Sequence, residues 1–145
     1  MDFLSAISFT IHSVTNFFGI CANIILIYVV IKRTPSTMTT YSMLILNFAI
    51  TDLLSCIASI TVQQRILPGG LGLFYLSYGP CRYFGPLACL IAYSFMLHCY
   101  AHWFFSLVYS FCYRYYILCN DPPRRSRVLL VILLIYIPSF VQFLA

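Results

Sequence analysis

Acidic side chains are scarce in this chain. Its 145 residues include three acids. Asp2 is predicted to lie outside the membrane, Asp52 within it and Asp121 on its inner side. Paired carboxylates for acid–base catalysis are therefore excluded. Cys99 follows His98 directly, and neighbours on a helix do not face each other, so that pair cannot act as nucleophile and base. Phosphate-binding glycine loops are missing too. We predict no enzymatic activity and no cofactor.

Charged residues of either sign are few. Only 8% of the residues are charged and 62% are hydrophobic, whereas soluble domains average about 25% charged and about 45–50% apolar residues. A helix needs about 20 mostly apolar residues to cross a bilayer. Four segments qualify, residues 6–31, 41–62, 85–113 and 128–145. The sequence predicts an all-α, multi-pass transmembrane helical bundle that forms a single domain.

Basic residues are distributed unevenly between the three connections. The first and third carry six Lys and Arg residues, whereas the second carries only Arg65 and Arg82. Cytoplasmic loops are enriched in Lys and Arg, so the first and third connections are predicted to be cytoplasmic and the N-terminus extracellular. The net charge of +5 then faces lipid headgroups, which predicts a lipid bilayer as partner and argues against nucleic acid.

The connections and span lengths carry further information. Gly and Pro between Pro68 and Gly85 rule out a regular helix in the second connection. The third span is about 43 Å long at about 1.5 Å per residue, so it is expected to tilt or to protrude into the cytoplasm. The fourth span stops at Ala145. Either it barely reaches the outer face, or the sequence is a truncated piece of a longer chain.

Polar residues inside the spans need partners. Asp52 lies within the apolar run "LILNFAITDLL", and "HCYAH" places His98 and His102 four residues apart on the third span. An intramembrane carboxylate faces the bundle interior or a water pocket, because exposing it to lipid costs about 2.5–3.5 kcal/mol. A metal between the histidines would need a third ligand. A polar packing network is therefore the default expectation.

The spacing of several motifs resembles that of rhodopsin-like seven-helix receptors. The motifs are an asparagine in "GICANIILIYVVIKR", the pattern "LNFAITDLL", a cysteine at the outer start of span three and the "SFCYRYY" stretch at its inner end. More closely, "TYSMLILNFAITDLLSC", "VQQRILPGG", "YGPCRYFGPLAC" and "SFCYRYYIL" look like the nematode serpentine receptor class delta family of candidate chemoreceptors. The likeness covers roughly helices one to four of that fold.

The resemblance implies an intramembrane polar network. Asn23 and Asp52 would belong to it, and it is expected to extend to Asn47, His98 and His102. The matching aspartate of the wider superfamily can hold sodium, but Trp103 stands where that family commonly has serine. We therefore expect a hydrogen-bonded Asp52 carboxylate with Asn23 and His102 nearby, instead of a metal. The alternative is a purely structural clamp between helices.

At the inner end of span three, the resemblance implies that Arg114 faces a heterotrimeric G protein. The family usually has an acid before this arginine, and Tyr113 occupies that position here. The alternative role for Arg114 is an interfacial arginine on headgroup phosphates.

At the outer end, Cys89 is implied to form a disulfide with the second outer loop of the family, and Cys81 is the alternative residue for that same bond. Pairing of Cys89 with Cys81 is not expected if the helix starts early, because eight helical residues span about 12 Å. The implied ligand pocket lines the outer half of span three, with Tyr93, Met96, Leu97 and Tyr100 on one stripe. That stripe is alternatively ordinary helix packing.

Two functions fit the sequence. The first is a chemosensory G-protein-coupled receptor for small molecules, located in the plasma membrane of sensory neurons and represented here by four of seven helices. The second is a self-contained four-span protein, acting as an adaptor or an oligomeric pore subunit. A transporter is a weaker third reading, because broken helices in matching spans are lacking.

Overall fold

The computed structural model describes residues 3–35, 38–69 and 72–144. It has four helices, namely α1 (Phe3–Arg33), α2 (Thr39–Val62), α3 (Pro86–Cys119) and α4 (Arg125–Leu144). Between α2 and α3 lie two short strands, β1 (Gln64–Gly69) and β2 (Gly72–Ser77), followed by a 3₁₀ turn over Pro80–Phe84. The predicted helical membrane bundle is confirmed.

Three of the helices are long and apolar enough to cross a membrane within the described residues. They comprise Ala6–Arg33, Thr39–Val62 and Pro86–Cys119. The fourth predicted span coincides with α4, a helix of 20 residues that contains Pro138. α3 has 34 residues and continues past the predicted end of span three.

Successive helices run antiparallel. His12 near the start of α1 contacts Ser59 near the end of α2, and Asn47 of α2 contacts Ser106 of α3. α1 and α2 approach closely at Gly19, where an added Cβ would lie 2.9 Å from the Cys56 sulfur. Small residues permit such close approach between membrane helices, where packing must replace the hydrophobic effect as the source of association.

The inner half of the bundle has an apolar core made by three helices. Leu44 of α2, Tyr113 of α3 and Val128 of α4 are buried together, and the half-buried Tyr41, Tyr109 and Ile132 pack around them. Large apolar side chains elsewhere on the helices are exposed, including Phe111 and Leu133. Such a surface suits hydrocarbon surroundings.

The second connection, for which the sequence rules out a regular helix, forms a β-hairpin. β1 and β2 pair antiparallel from Gln64 opposite Ser77 to Gly69 opposite Gly72. The hairpin returns directly onto the end of α2, because the Gly79 amide donates to the Val62 carbonyl at 3.2 Å. A Cβ at Gly79 would lie 2.1 Å from the Thr61 carbonyl oxygen, so only glycine fits this close approach.

The outer cysteines correct one expectation. Cys81 and Cys89 form a disulfide with their Cα atoms 5.1 Å apart. The pairing was not expected for an early helix start, but α3 begins only at Pro86, between the two cysteines. Gly85, with φ of 99°, separates the 3₁₀ turn from α3, so the chain folds back between the two cysteines. The Ser77 hydroxyl contacts the Cys81 sulfur at 2.9 Å, which joins the hairpin to this bridge.

Trypsin provides a direct test of the Cys81–Cys89 bridge, because it cleaves between the two cysteines at Arg82. Under non-reducing conditions we expect mass spectrometry to find peptides 66–82 and 83–114 joined by one disulfide. Cys81→Ser should abolish the link and lower the free energy of unfolding by about 2–3 kcal/mol, as expected for a short closed loop. Cys112→Ser is the matched control. Separate peptides from unreduced protein would contradict the bridge.

Candidate functional site

The central polar cluster joins α2 to α3. The Asn47 amide nitrogen donates to the Ser106 hydroxyl at 2.9 Å, and the Asn47 side-chain oxygen lies 3.2 Å from His102 Nε2. An amide oxygen only accepts, so Nε2 carries the ring hydrogen. His102 and Ser106 are both buried. These residues form the polar contact between the two helices at mid-bundle.

His98 points to a different helix from His102. Its Nδ1 donates to the Ser139 carbonyl of α4 at 2.7 Å. The His98 ring meets the Tyr136 ring edge to face, with centroids 5.0 Å apart, and the His102 ring lies 4.8 Å from the same tyrosine. The two histidines of "HCYAH" therefore tie α3 to α4 and α2. The part of the chain that the structure describes has no cluster of three or more His, Cys, Asp or Glu suited to a metal.

Asp52 does not join the network in the expected way. The Asn23 amide donates to the Gly19 carbonyl of its own helix at 2.9 Å. Among residues 3–35, 38–69 and 72–144, no hydrogen bond links the Asp52 carboxylate to Asn23 or His102, so these residues are not its hydrogen-bond partners. The carboxylate is half-buried on α2. The spacing within α1 and α2 did not determine which faces of those helices meet.

An outer cleft lies between α1, α2 and α3. It has a volume of about 570 Å³ and is wide and largely open. Most of its lining comes from the outer half of α1, with one residue each from α2 and α3: Ile7, Ser8, Ile11, His12, Thr15, Asn16, Ser59 and Tyr100.

His12 organises the polar wall of this outer cleft. The Asn16 amide nitrogen donates to His12 Nδ1 at 3.2 Å, so Nδ1 accepts and the hydrogen is on Nε2. His12 Nε2 then donates to the Ser59 hydroxyl at 3.2 Å. Neither His12 nor Asn16 is among the residues predicted from the sequence, although their four-residue spacing places them on one helix face.

The four residues of the predicted ligand-binding stripe on α3 have different surroundings in the structure. Tyr100 lines the outer cleft and is partly exposed. Met96 is fully buried, whereas Tyr93 and Leu97 are half-buried and lie outside the cleft lining. Of the four predicted residues, Tyr100 alone therefore lines that cleft.

At the inner end, Arg114 contacts a tyrosine instead of an acid. Its guanidinium donates to the Tyr41 hydroxyl of α2 and lies 5.4 Å from the centroid of the Tyr41 ring. Tyr41 also stacks on Tyr113, with ring centroids 6.4 Å apart. Tyr113, which replaces the expected acid, therefore packs behind the partner of Arg114. The arginine itself remains exposed.

The central cluster predicts a measurable stability difference. Asn47→Ala should lower the free energy of unfolding in detergent by about 1–2 kcal/mol, because it removes two interhelical hydrogen bonds and leaves buried groups unpaired. Thr51→Val is the control, since Thr51 donates only to the Asn47 carbonyl within α2. Equal losses for both variants in a titration with sodium dodecyl sulfate would contradict the interhelical role of Asn47.

Comparisons with known proteins agree on one family. The model of the family described as "Serpentine type 7TM GPCR chemoreceptor Srd" matches residues 9–145. Serpentine receptor class delta-1 of Caenorhabditis elegans is 42% identical over 127 residues, which cover 88% of this chain and 34% of that relative. Class delta-19 is 42% identical over 128 residues, covering 87% of this chain and 38% of the relative.

Class delta-18 from the same nematode is 41% identical over 128 residues, with the same shares of 87% and 38%. The chain thus spans little more than a third of the length of these curated relatives. No solved structure matches it. The family match covers nearly the whole chain and agrees with its long apolar helices. The chain is an integral membrane protein and belongs to the Srd family of serpentine seven-transmembrane chemoreceptors.

Proposed function

We propose that this chain provides helices one to four of a plasma-membrane chemoreceptor. In that receptor, a small and mostly apolar molecule binds in the outer cleft, and the inner end of α3 couples to a heterotrimeric G protein. The observation that carries the proposal is the outer cleft. It lies at the opposite end of the bundle from the Arg114–Tyr41 contact, and α3 extends from one to the other. Family membership supports the receptor class.

The lining of the outer cleft favours a particular class of ligand. Ile7 and Ile11 offer apolar surface, while the Ser59 and Tyr100 hydroxyls provide hydrogen-bonding groups. Small-molecule sites are mostly apolar with few polar groups, and volumes of about 300–1,000 Å³ are common. The cleft at about 570 Å³ falls in this range. A small ketone, ester or alcohol has the matching chemistry.

Signal transmission would run along α3. Tyr100 in the outer cleft is followed by His102 and Ser106 in the central cluster, and then by Arg114 at the inner end. A ligand that shifts α3 relative to α2 would alter both the Asn47 contacts and the Tyr41 contact. Ligand binding then acts by favouring one of two helix arrangements, because it binds that arrangement more tightly. In sensory neurons this shift would report the chemical cue.

Tyr41 has the position needed to restrain Arg114 in the resting arrangement. The tie combines a hydrogen bond and a cation–π contact, and cation–π contacts alone contribute about 0.5–1 kcal/mol at exposed sites. A tie of this strength is suited to a switch, because ligand binding energy readily exceeds it. Release of Arg114 would then free its guanidinium for a G-protein segment.

Ligand recognition is tested in a chimera that carries residues 9–145 of this chain in place of the matching segment of class delta-1. A panel of small volatile ketones, esters and alcohols is applied, and G-protein activation is measured. For an active compound, Tyr100→Phe should raise the half-maximal concentration about fivefold, the effect of losing one hydrogen bond of about 1 kcal/mol.

Phe105→Leu serves as the control for the ligand experiment, because Phe105 is exposed on α3 and lies outside the cleft lining. If Tyr100→Phe and Ser59→Ala both leave the response to an active compound unchanged, the outer cleft is not the ligand site.

G-protein coupling is tested separately, without ligand, in the same chimera. Tyr41→Phe keeps the ring but removes the hydroxyl partner of Arg114, so basal recruitment of an engineered G protein should rise about two- to fivefold. Arg114→Gln should lower it to background. Arg82→Gln, which removes an exposed arginine from the opposite end of the bundle, should change nothing. Unchanged basal recruitment in Tyr41→Phe, at equal surface expression, would refute the restraint.

A further inference from the structure

A second groove lies at the inner end of the bundle, between α3 and α4. This inner groove has a volume of about 310 Å³. Its lining combines aromatic and aliphatic surface with a single cationic side chain: Tyr109, Cys112, Tyr113, Tyr116, Pro123, Arg127, Val128 and Val131. The α3 part of the lining extends from Tyr109 to Tyr116, about 10 Å along the helix. None of these residues contributes to the outer cleft.

The inner groove is polarised along the bundle. Arg127 lies at the start of α4, next to the third connection, whereas Val131 and Tyr109 lie deeper in the helices. The connection and first turn of α4 carry Arg124, Arg125 and Arg127 against one acid, the exposed Asp121. The positive-inside distribution assigns this end to the cytoplasm. A cation therefore lies at headgroup depth and apolar surface at acyl-chain depth.

The three arginines of this region differ in their surroundings. Arg125 donates to Thr39 of α2 at 3.2 Å, so it is turned away from the inner groove. Arg124 is exposed and outside the groove lining. Arg127 alone of the three contributes to the lining. A general attraction of basic residues to anionic lipid would involve all three equally, whereas a site predicts a special role for Arg127.

We propose that the inner groove binds one anionic phospholipid, with its phosphate on Arg127 and an acyl chain against Cys112, Tyr109 and Val131. Basic pockets between transmembrane helices on the cytoplasmic side suit anionic headgroups. Tyr116, partly exposed near the mouth of the groove, has the amphipathic character that aromatic residues show at a membrane interface. The main alternative occupant of the inner groove is a further helix that covers it. Such a helix would not require a cation at one end of an apolar groove.

The test measures retained lipid by native mass spectrometry on the full chain, purified from vesicles of equal parts phosphatidylserine and phosphatidylcholine. One phosphatidylserine should be retained in preference to phosphatidylcholine. Arg127→Gln should reduce its retention about fivefold, which corresponds to about 1 kcal/mol per basic residue near an anionic surface. Arg124→Gln makes the same charge change three residues away and should reduce retention less than twofold.

Two further variants keep the test decisive if Arg127→Gln misfolds. Arg127→Lys keeps the charge and should retain most of the phosphatidylserine. Cys112→Trp fills the apolar part of the groove and should reduce retention without any change in charge. Equal losses in the Arg124 and Arg127 variants, or equal retention of both lipids by the unmodified chain, would overturn the proposal. It would also be overturned if the chimera with class delta-1 loses the bound lipid, because a helix would then cover the groove.

Discussion

The structure depends on one constraint, namely that polar groups within a membrane must find their partners inside the protein. The hydrocarbon core offers no water, so each buried hydroxyl, amide or imidazole favours the helix arrangement that pairs it. Among the described residues, α3 carries four of the eight buried polar side chains. Asn47 of α2 pairs with His102 and Ser106 on α3, while His98 reaches the Ser139 carbonyl of α4. Because the partners lie on different helices, these contacts determine how α2 and α4 are positioned around α3.

The outer end of the bundle is under a different constraint, because the chain between α2 and α3 has polar backbone groups at the membrane surface. The β-hairpin pairs many of them internally. Gly79 brings the returning strand against the end of α2, and the Cys81–Cys89 bridge fastens the same segment to the start of α3. This rigid outer connection holds the ends of α2 and α3 together. Motion between these two helices is therefore easier toward the inner end, where Arg114 and Tyr41 meet.

The sequence predicts some of these features and leaves others open, for a physical reason. Span positions follow from hydrophobicity, which is a local property, so the four helices were identified. The partner of Asp52 depends on the rotation of one helix against another, and spacing along a single helix does not contain that information. His12 and Asn16 share one helix face by their spacing, but the contact of His12 with Ser59 depends on how α1 packs against α2. The cysteine pairing depended on Gly85, where a positive φ delays the start of α3.

The tyrosine before Arg114, in place of the acid usual in rhodopsin-like receptors, affects which helix the arginine contacts. An acid at that position would bind the arginine within its own helix, and the tie would then be independent of α2. With Tyr113 there instead, Arg114 donates to Tyr41 across the helix interface, and Tyr113 supports Tyr41 by stacking. The contact of the arginine thus depends on how α2 and α3 pack. The Asn47 contacts set that packing farther up the same interface, so a change in helix arrangement near the outer cleft would bear directly on Arg114.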